Sequence, residues 1–324
     1  MKTFIKHSVV FCSILGVILS GVIVVSHMSD RNIFLMDIQL SKWGILKQGK
    51  NWRSIIMGDS RGLAMNKEKA VANQYDLFNF CTVIIGGIHP YCYFLRTYLK
   101  YNNPPKVIFM TFLETTFSTD SGLFRQPPIA FGDGQLYRAS RYYSLAGLFT
   151  EPIFKQFSSV RWQVLATRLF PNKCYVKILE PLWLKEKYLD MNTGFAAING
   201  KHVWKPTEPV LDEMSRPYVP SALHIESMRE FLAIAKEHGI KVVIVHIPTP
   251  QSLYDTQIQT GFFTEYFAIL DRLSAEFPDT LKIGNKPYPY PDELFSDYHH
   301  LNDAGAERYN SAEFLELLEK YAGK

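Results

Sequence analysis

The chain has 324 residues, 47% of them hydrophobic and 14% aromatic, with 35 Lys and Arg against 31 Asp and Glu for a formal net charge of +4. Those values suit one large domain with insertions and an ample core. The positive charge is spread along the chain and forms no stripe of Lys and Arg that could follow a phosphate backbone, which argues against nucleic acid as a partner.

The N-terminus carries the first strong signal. Lys2, Lys6 and His7 precede a stretch from Ser8 to Met28 that contains no Asp, Glu, Lys or Arg. At about 1.5 Å per residue, such a stretch can cross a hydrocarbon core of about 30 Å. The basic residues in front of it place the N-terminus in the cytoplasm and the remainder outside. A cleaved signal peptide, cut near Ser26, is the competing reading, but its apolar region is usually shorter. The expected organisation is an anchor over residues 1–29, an amphipathic connector over 30–52 and an extracytoplasmic domain over 53–324.

Short apolar runs bounded by breakers follow, the pattern of buried parallel strands. Arg53 to Met57 ends at Gly58, Phe78 to Ile85 ends at Gly86 and Gly87, and Val107 to Met110 follows Pro104 and Pro105. Residues 118–210 are irregular and rich in aromatics, including Phe124, Tyr142, Trp162 and Trp204. They read as an insertion that forms a cap, a substrate wall, a partner surface or extra packing. Regularity returns after Pro220. Ile225, Met228, Phe231, Leu232 and Ala235 mark one face of a helix that Gly239 ends. Lys241 to Ile247 reads as a strand, Phe267, Leu270 and Leu273 as a helix, Leu281 to Ile283 as a final strand, and the tail from Asp303 as a helix. Alternation of this kind implies an α/β fold with a parallel sheet between helices.

Two motifs carry chemistry. Gly58-Asp59-Ser60-Arg61-Gly62 directly follows the first strand, at the edge where open α/β sheets bind ligands. Ser60 there can present its hydroxyl, or serve only as a helix N-cap. If a helix follows, its N-terminus favours developing negative charge. Near the other end stands Asp297-Tyr298-His299-His300-Leu301-Asn302. A serine needs a base to become a nucleophile, usually a histidine oriented by a carboxylate. Asp297 and His300 are three residues apart, so one turn can bring both into a site, with His299 as a rival for the base. Arg61 is a candidate for holding an anionic substrate or a surface residue. His89 and His246 could line the pocket, but read rather as a loop histidine without function and a satisfied histidine at the strand edge. Cys12, Cys81, Cys92 and Cys174 show no metal spacing and read as small buried hydrophobes, although an exported domain could pair two of them. Glu68, Glu114 and Asp120 form no spaced pair, and no metal or cofactor is expected.

Taken together, G-D-S after the first strand and D-Y-H-H-L-N-D-A-G-A before the last helix resemble the SGNH (GDSL-like) hydrolase superfamily over about residues 53–320. The resemblance implies a flavodoxin-like three-layer α/β/α fold with Ser60, Asp297 and His300 as triad. It also implies an oxyanion site made by the Ser60 N–H, a glycine (Gly86 or Gly87) and an asparagine from a G-x-N-D block. That block is missing here. The segment reads V-I-F-M-T-F-L-E-T-T-F, with Thr111, Glu114 and Thr115 near the expected position. Loss of one such donor can cost about 10²–10³ in rate. With the anchor and the insertion, this departure narrows the resemblance to the anchored SGNH-like proteins that work beside membrane-bound O-acyltransferases, among them those of teichoic-acid D-alanyl transfer and of alginate and cellulose O-acetylation. What it implies is acyl transfer through a Ser60 ester to hydroxyls of a cell-surface polymer. Hydrolysis of surface glycan or lipid esters and a non-catalytic scaffold role are the alternatives.

Overall fold

The computed structural model describes residues 42, 45–82, 88–118, 190, 192–195, 201–207, 211 and 218–323. The expected membrane span, Gly86, Gly87, Cys12, Cys174 and most of the aromatic insertion lie outside them. No helix among the described residues is long and apolar enough to cross a membrane.

The protein is α/β. In chain order its elements are β1 (Ser54–Gly58), α1 (Lys69–Tyr75), β2 (Leu77–Asn79), α2 (His89–Tyr101), β3 (Val107–Thr111), α3 (Ala222–Glu237), β4 (Lys241–Ile244), β5 (Thr249–Pro250), α4 (Gln251–Gln259), α5 (Phe262–Glu276), β6 (Leu281–Ile283), β7 (Pro289–Tyr290), α6 (Asp303–Ser311) and α7 (Glu313–Ala322). Five strands form a sheet in the order β2-β1-β3-β4-β6, every neighbouring pair parallel. The arrangement is consistent with a three-layer α/β/α fold. β5 and β7 make a separate parallel pair.

Burial explains the central strands. β1 and β3 are buried along their whole length, as strands covered on both faces must be, and their sequences are correspondingly apolar. The register sets Gly58 beside Thr111, so both strands end at one level and the turns after them emerge side by side. α3 buries Met228, Phe231, Leu232 and Ala235 and packs on α2, where the Cys92 thiol donates to the Ser227 carbonyl at 3.1 Å. Phe314 of α7 meets Phe109 of β3 edge-on, with ring centroids 5.8 Å apart. The Cys81 and Cys92 side chains are buried.

Several elements differ from the sequence expectation. β2 stops at Asn79 because the Asn79 Oδ1 accepts the Cys81 N–H at 2.8 Å and turns the chain. β4 stops at Ile244, and the His246 N–H goes instead to Asn285 Oδ1 at 2.9 Å. The C-terminal tail is two helices, broken at Ala312 with φ −122° and ψ −85°. α4 and the β5–β7 pair had no clear sequence signal. The end of the connector packs on the domain, where Ile45 and Leu46 are buried. Lys42 donates from its ammonium to the Cys81 carbonyl at 2.7 Å.

Candidate active site

The two motif-bearing turns meet across 240 residues of chain. Ser60 opens a five-residue 3₁₀ turn, Ser60–Ala64, rather than an α-helix, so the N-terminal helix charge anticipated from the sequence is not supplied there. The N-cap is Asp59, whose side chain accepts the Arg61 N–H at 3.0 Å. The Ser60 side chain is thereby left for other work. Its Oγ lies 2.7 Å from His300 Nε2. His300 Nδ1 lies 2.7 Å from Asp297 Oδ2. An ionised carboxylate only accepts, so His300 carries its proton on Nδ1 and offers the Nε2 lone pair to the Ser60 hydroxyl.

The turn holding Asp297 is fixed by its own carboxylate. Asp297 Oδ1 accepts the backbone N–H groups of His299 and His300 at 2.9 and 2.8 Å. Burial pushes the Asp297 carboxyl upward, but the His300 hydrogen bond, the two neighbouring imidazole rings and the His299 N–H together hold it well below the usual carboxylate range. It is therefore ionised whenever the site could work.

His299 is not the base. Its ring lies against that of His300, tilted by 46° with centroids 3.9 Å apart, and its Nδ1 is 3.6 Å from Asp297 Oδ1. Burial, and then the neighbouring His300 ring, hold it neutral, well below the ordinary histidine range. Ligand atoms of Asp297, His299 and His300 lie within 4.8 Å of one another, close enough for a metal. Both His300 nitrogens, however, already have partners in the relay just described.

Arg61 is neither a surface residue nor a free anion holder. It is buried, and its guanidinium pairs with Glu114 at 2.9 Å and donates to the carbonyls of Ile247 and Pro248 at 2.5 and 3.2 Å. Glu114, as the ionised partner, cannot donate to an oxyanion. The Leu113 N–H, another conceivable donor after β3, is taken by Asp59 Oδ2 at 2.7 Å. Thr111 is buried at the end of β3, and Thr115 lines the cleft beside Arg61 and Glu114. The expected glycine donors, Gly86 and Gly87, lie outside the described residues.

Several residues that hold the site had no assigned role in the sequence reading. Asp59, buried and bonded to both turns, clamps the end of β1 to the end of β3; burial raises its carboxyl, opposed by Arg61 and the two N–H groups. Asn79 donates to the carbonyls of Gly62 and Met65 at 2.7 and 2.8 Å, which fixes the turn behind Ser60. Asn302 caps α6 by accepting the Gly305 N–H at 3.0 Å and donates to the Glu293 carbonyl at 2.7 Å. Gly305 is needed for close approach, because a Cβ there would stand 2.2 Å from the Leu294 carbonyl oxygen. Asp, Asn and Gly at strand-to-helix junctions were the available signal. His246 is a buried structural residue, its ring between the Asn285 carbonyl at 2.6 Å and the Tyr266 hydroxyl at 2.7 Å.

The described pieces of the insertion touch both halves of the site. The Thr193 carbonyl accepts from the Asn79 N–H and from Asn66 Nδ2, each at 2.9 Å. The Trp204 N–H donates to the Phe295 carbonyl at 2.8 Å, and the His202 carbonyl accepts from Asn302 Nδ2 at 3.3 Å. Chemically, the arrangement can deprotonate a serine hydroxyl beside a small cleft at the carboxyl edge of a parallel sheet, between the first strand and its neighbour where the strand order reverses. Compared with known proteins, the chain matches no family model and no curated sequence.

Proposed function

We propose that the protein is a membrane-anchored, extracytoplasmic serine acyltransferase of SGNH type. It would carry an acetyl or similar acyl group as a Ser60 ester to hydroxyls of a cell-surface polymer. The observation that carries this reading is the continuous relay from Ser60 Oγ through His300 to Asp297, with 2.7 Å at both steps. The strand order β2-β1-β3-β4-β6 agrees with a flavodoxin-like arrangement, in which the switch point lies between the first strand and its later neighbour.

In the first half-reaction Ser60 Oγ attacks the acyl carbonyl carbon while its proton passes to His300 Nε2. The tetrahedral oxyanion collapses, and the leaving alcohol departs with the proton from His300. Asp297 stabilises the imidazolium between these steps. In the second half-reaction His300 takes the proton of an acceptor hydroxyl, which attacks the Ser60 ester, and the proton returns to Ser60 Oγ. The Ser60 N–H and a glycine N–H at 86 or 87 are the oxyanion donors this reading requires. A membrane-bound O-acyltransferase that delivers acyl groups through the membrane is the partner that fits an anchored enzyme, and the uncharged N-terminal stretch supports the anchor.

Hydrolysis uses the same ester with water as acceptor. A non-catalytic scaffold is the reading favoured by one observation, the buried Glu114–Arg61 pair in the segment that the resemblance would have carry a G-x-N-D block. The full-length chain should be incubated with p-nitrophenyl acetate and examined by mass spectrometry. An acetyl group on Ser60 that moves to added glycan supports transfer, release only as acetate supports hydrolysis, and no adduct on folded protein supports the scaffold.

A further inference from the structure

Four polar atoms buried without a hydrogen-bond partner among the described residues belong to residues that line one cleft beside the triad. They are Arg61 Nε, Glu114 Oε1, Thr249 Oγ1 and His299 Nδ1, and all four residues line that cleft. Arg61, Glu114 and Thr249 are only 5, 4 and 4% exposed. Buried polar groups are almost always paired, and each one left without a partner is costly. Four around one space point to a group that enters it.

The donor and acceptor pattern selects the group. Arg61 Nε–H only donates and the Glu114 carboxylate only accepts, while Thr249 and His299 can each do either. A single atom that serves Arg61 and Glu114 together must accept and donate, which a hydroxyl does. The Arg61–Glu114 pair cancels its own charge, so an anionic group gains no net attraction and meets the free carboxylate oxygen. The cleft has room for about one water-sized group, too little for a sugar ring or an acyl chain. It also adjoins the chemistry: Arg61 follows Ser60, and the His299 and His300 rings are in contact, with centroids 3.9 Å apart.

We infer that this cleft is a hydroxyl subsite. It recognises a neutral hydroxyl neighbouring the one that is acylated, and so selects an uncharged sugar or polyol acceptor over one bearing phosphate or carboxylate at that position. The inference rests on the acyl-transfer reading for the identity of the reacting hydroxyl, but binding in the cleft requires no chemistry.

The test uses full-length Ser60→Ala protein in a detergent without a sugar headgroup, titrated with methyl glucoside or its 6-phosphate and followed by saturation-transfer NMR. The subsite predicts that the neutral glycoside binds more tightly than the phosphate. It also predicts that adding Thr249→Val weakens neutral binding about tenfold, the size of one lost hydrogen bond, and that Thr249→Ser restores it. Equal affinity for the two glycosides, or no binding of the neutral one, would overturn the proposal and leave a cleft filled by water alone. That selectivity is read on the Ser60→Ala protein itself, so it stands whether or not the valine variant folds. Failure of the acyl-transfer reading appears separately, as wild-type protein that forms no Ser60 adduct.

Discussion

Arg61 and Glu114, 2.9 Å apart and both buried, join the turn that carries Ser60 to the turn that ends β3. An arginine buried directly after Ser60 needs a counter-charge in the low-dielectric interior, and Glu114 supplies it. Removing one partner of a buried pair leaves the other charge uncompensated. Glu114→Ala should therefore destabilise the protein by about 3–5 kcal/mol, measured by urea denaturation followed through tryptophan fluorescence. A loss below about 1 kcal/mol, the range of exposed pairs, would contradict a buried structural pair.

Asp297 fixes the tautomer of His300. Asp297→Asn keeps the shape but lets an amide N–H face His300 Nδ1, which favours the proton on Nε2, where it blocks proton transfer from Ser60. The rate of Ser60 acylation by an activated ester should fall by about 10⁴, as in other Ser-His-Asp sites. A fall of less than about tenfold would show that Asp297 does not orient the base.

The turn behind Ser60 is packed to contact. A Cβ on Gly62 would stand 2.3 Å from Cys81 Sγ and 2.6 Å from Thr111 Cγ2. Gly62→Ala should cost about 1–3 kcal/mol through overpacking and displace Ser60 from His300. Adding Cys81→Ala should recover part of the melting temperature. No recovery in the double variant would place the strain elsewhere.

His224, fully buried in α3, has its pKa brought down to about 4 by burial. An unfolded histidine titrates near pH 6.5, so between those values the unfolded chain binds more protons than the folded one. Stability is complete above about pH 6.5 and falls as pH drops toward 4, by about 3 kcal/mol for a shift of this size. His246 and His299, also lowered chiefly by burial, add to the same slope. Replacing His224 with Phe should flatten the dependence of the melting temperature between pH 4 and 6.5 without abolishing it. An unchanged slope would show that His224 is not the titrating group.

Much of this was legible in the chain itself. Continuous apolar runs before Gly58 and after Pro105 read directly as strands because both are buried on two faces. Asp297 and His300 could be paired from their spacing because a single turn joins them. The Ser60–His300 contact needed family resemblance, since no local pattern spans 240 residues. Other features were hidden because tertiary contacts decide them. Asn79 and His246 stop strands with polar bonds that strand propensity does not register, and the role of Arg61 depended on Glu114, which lies 53 residues away. The buried clamp formed by Asp59 joins two turns that only the β1–β3 register brings level.

The most direct test of the central claim is labelling of the full-length chain with a fluorophosphonate probe, with the adduct mapped by mass spectrometry beside Ser60→Ala and His300→Ala. The account predicts a single adduct on Ser60 that both substitutions remove. Absence of labelling in folded wild-type protein, or labelling that survives in His300→Ala, would contradict an activated Ser60.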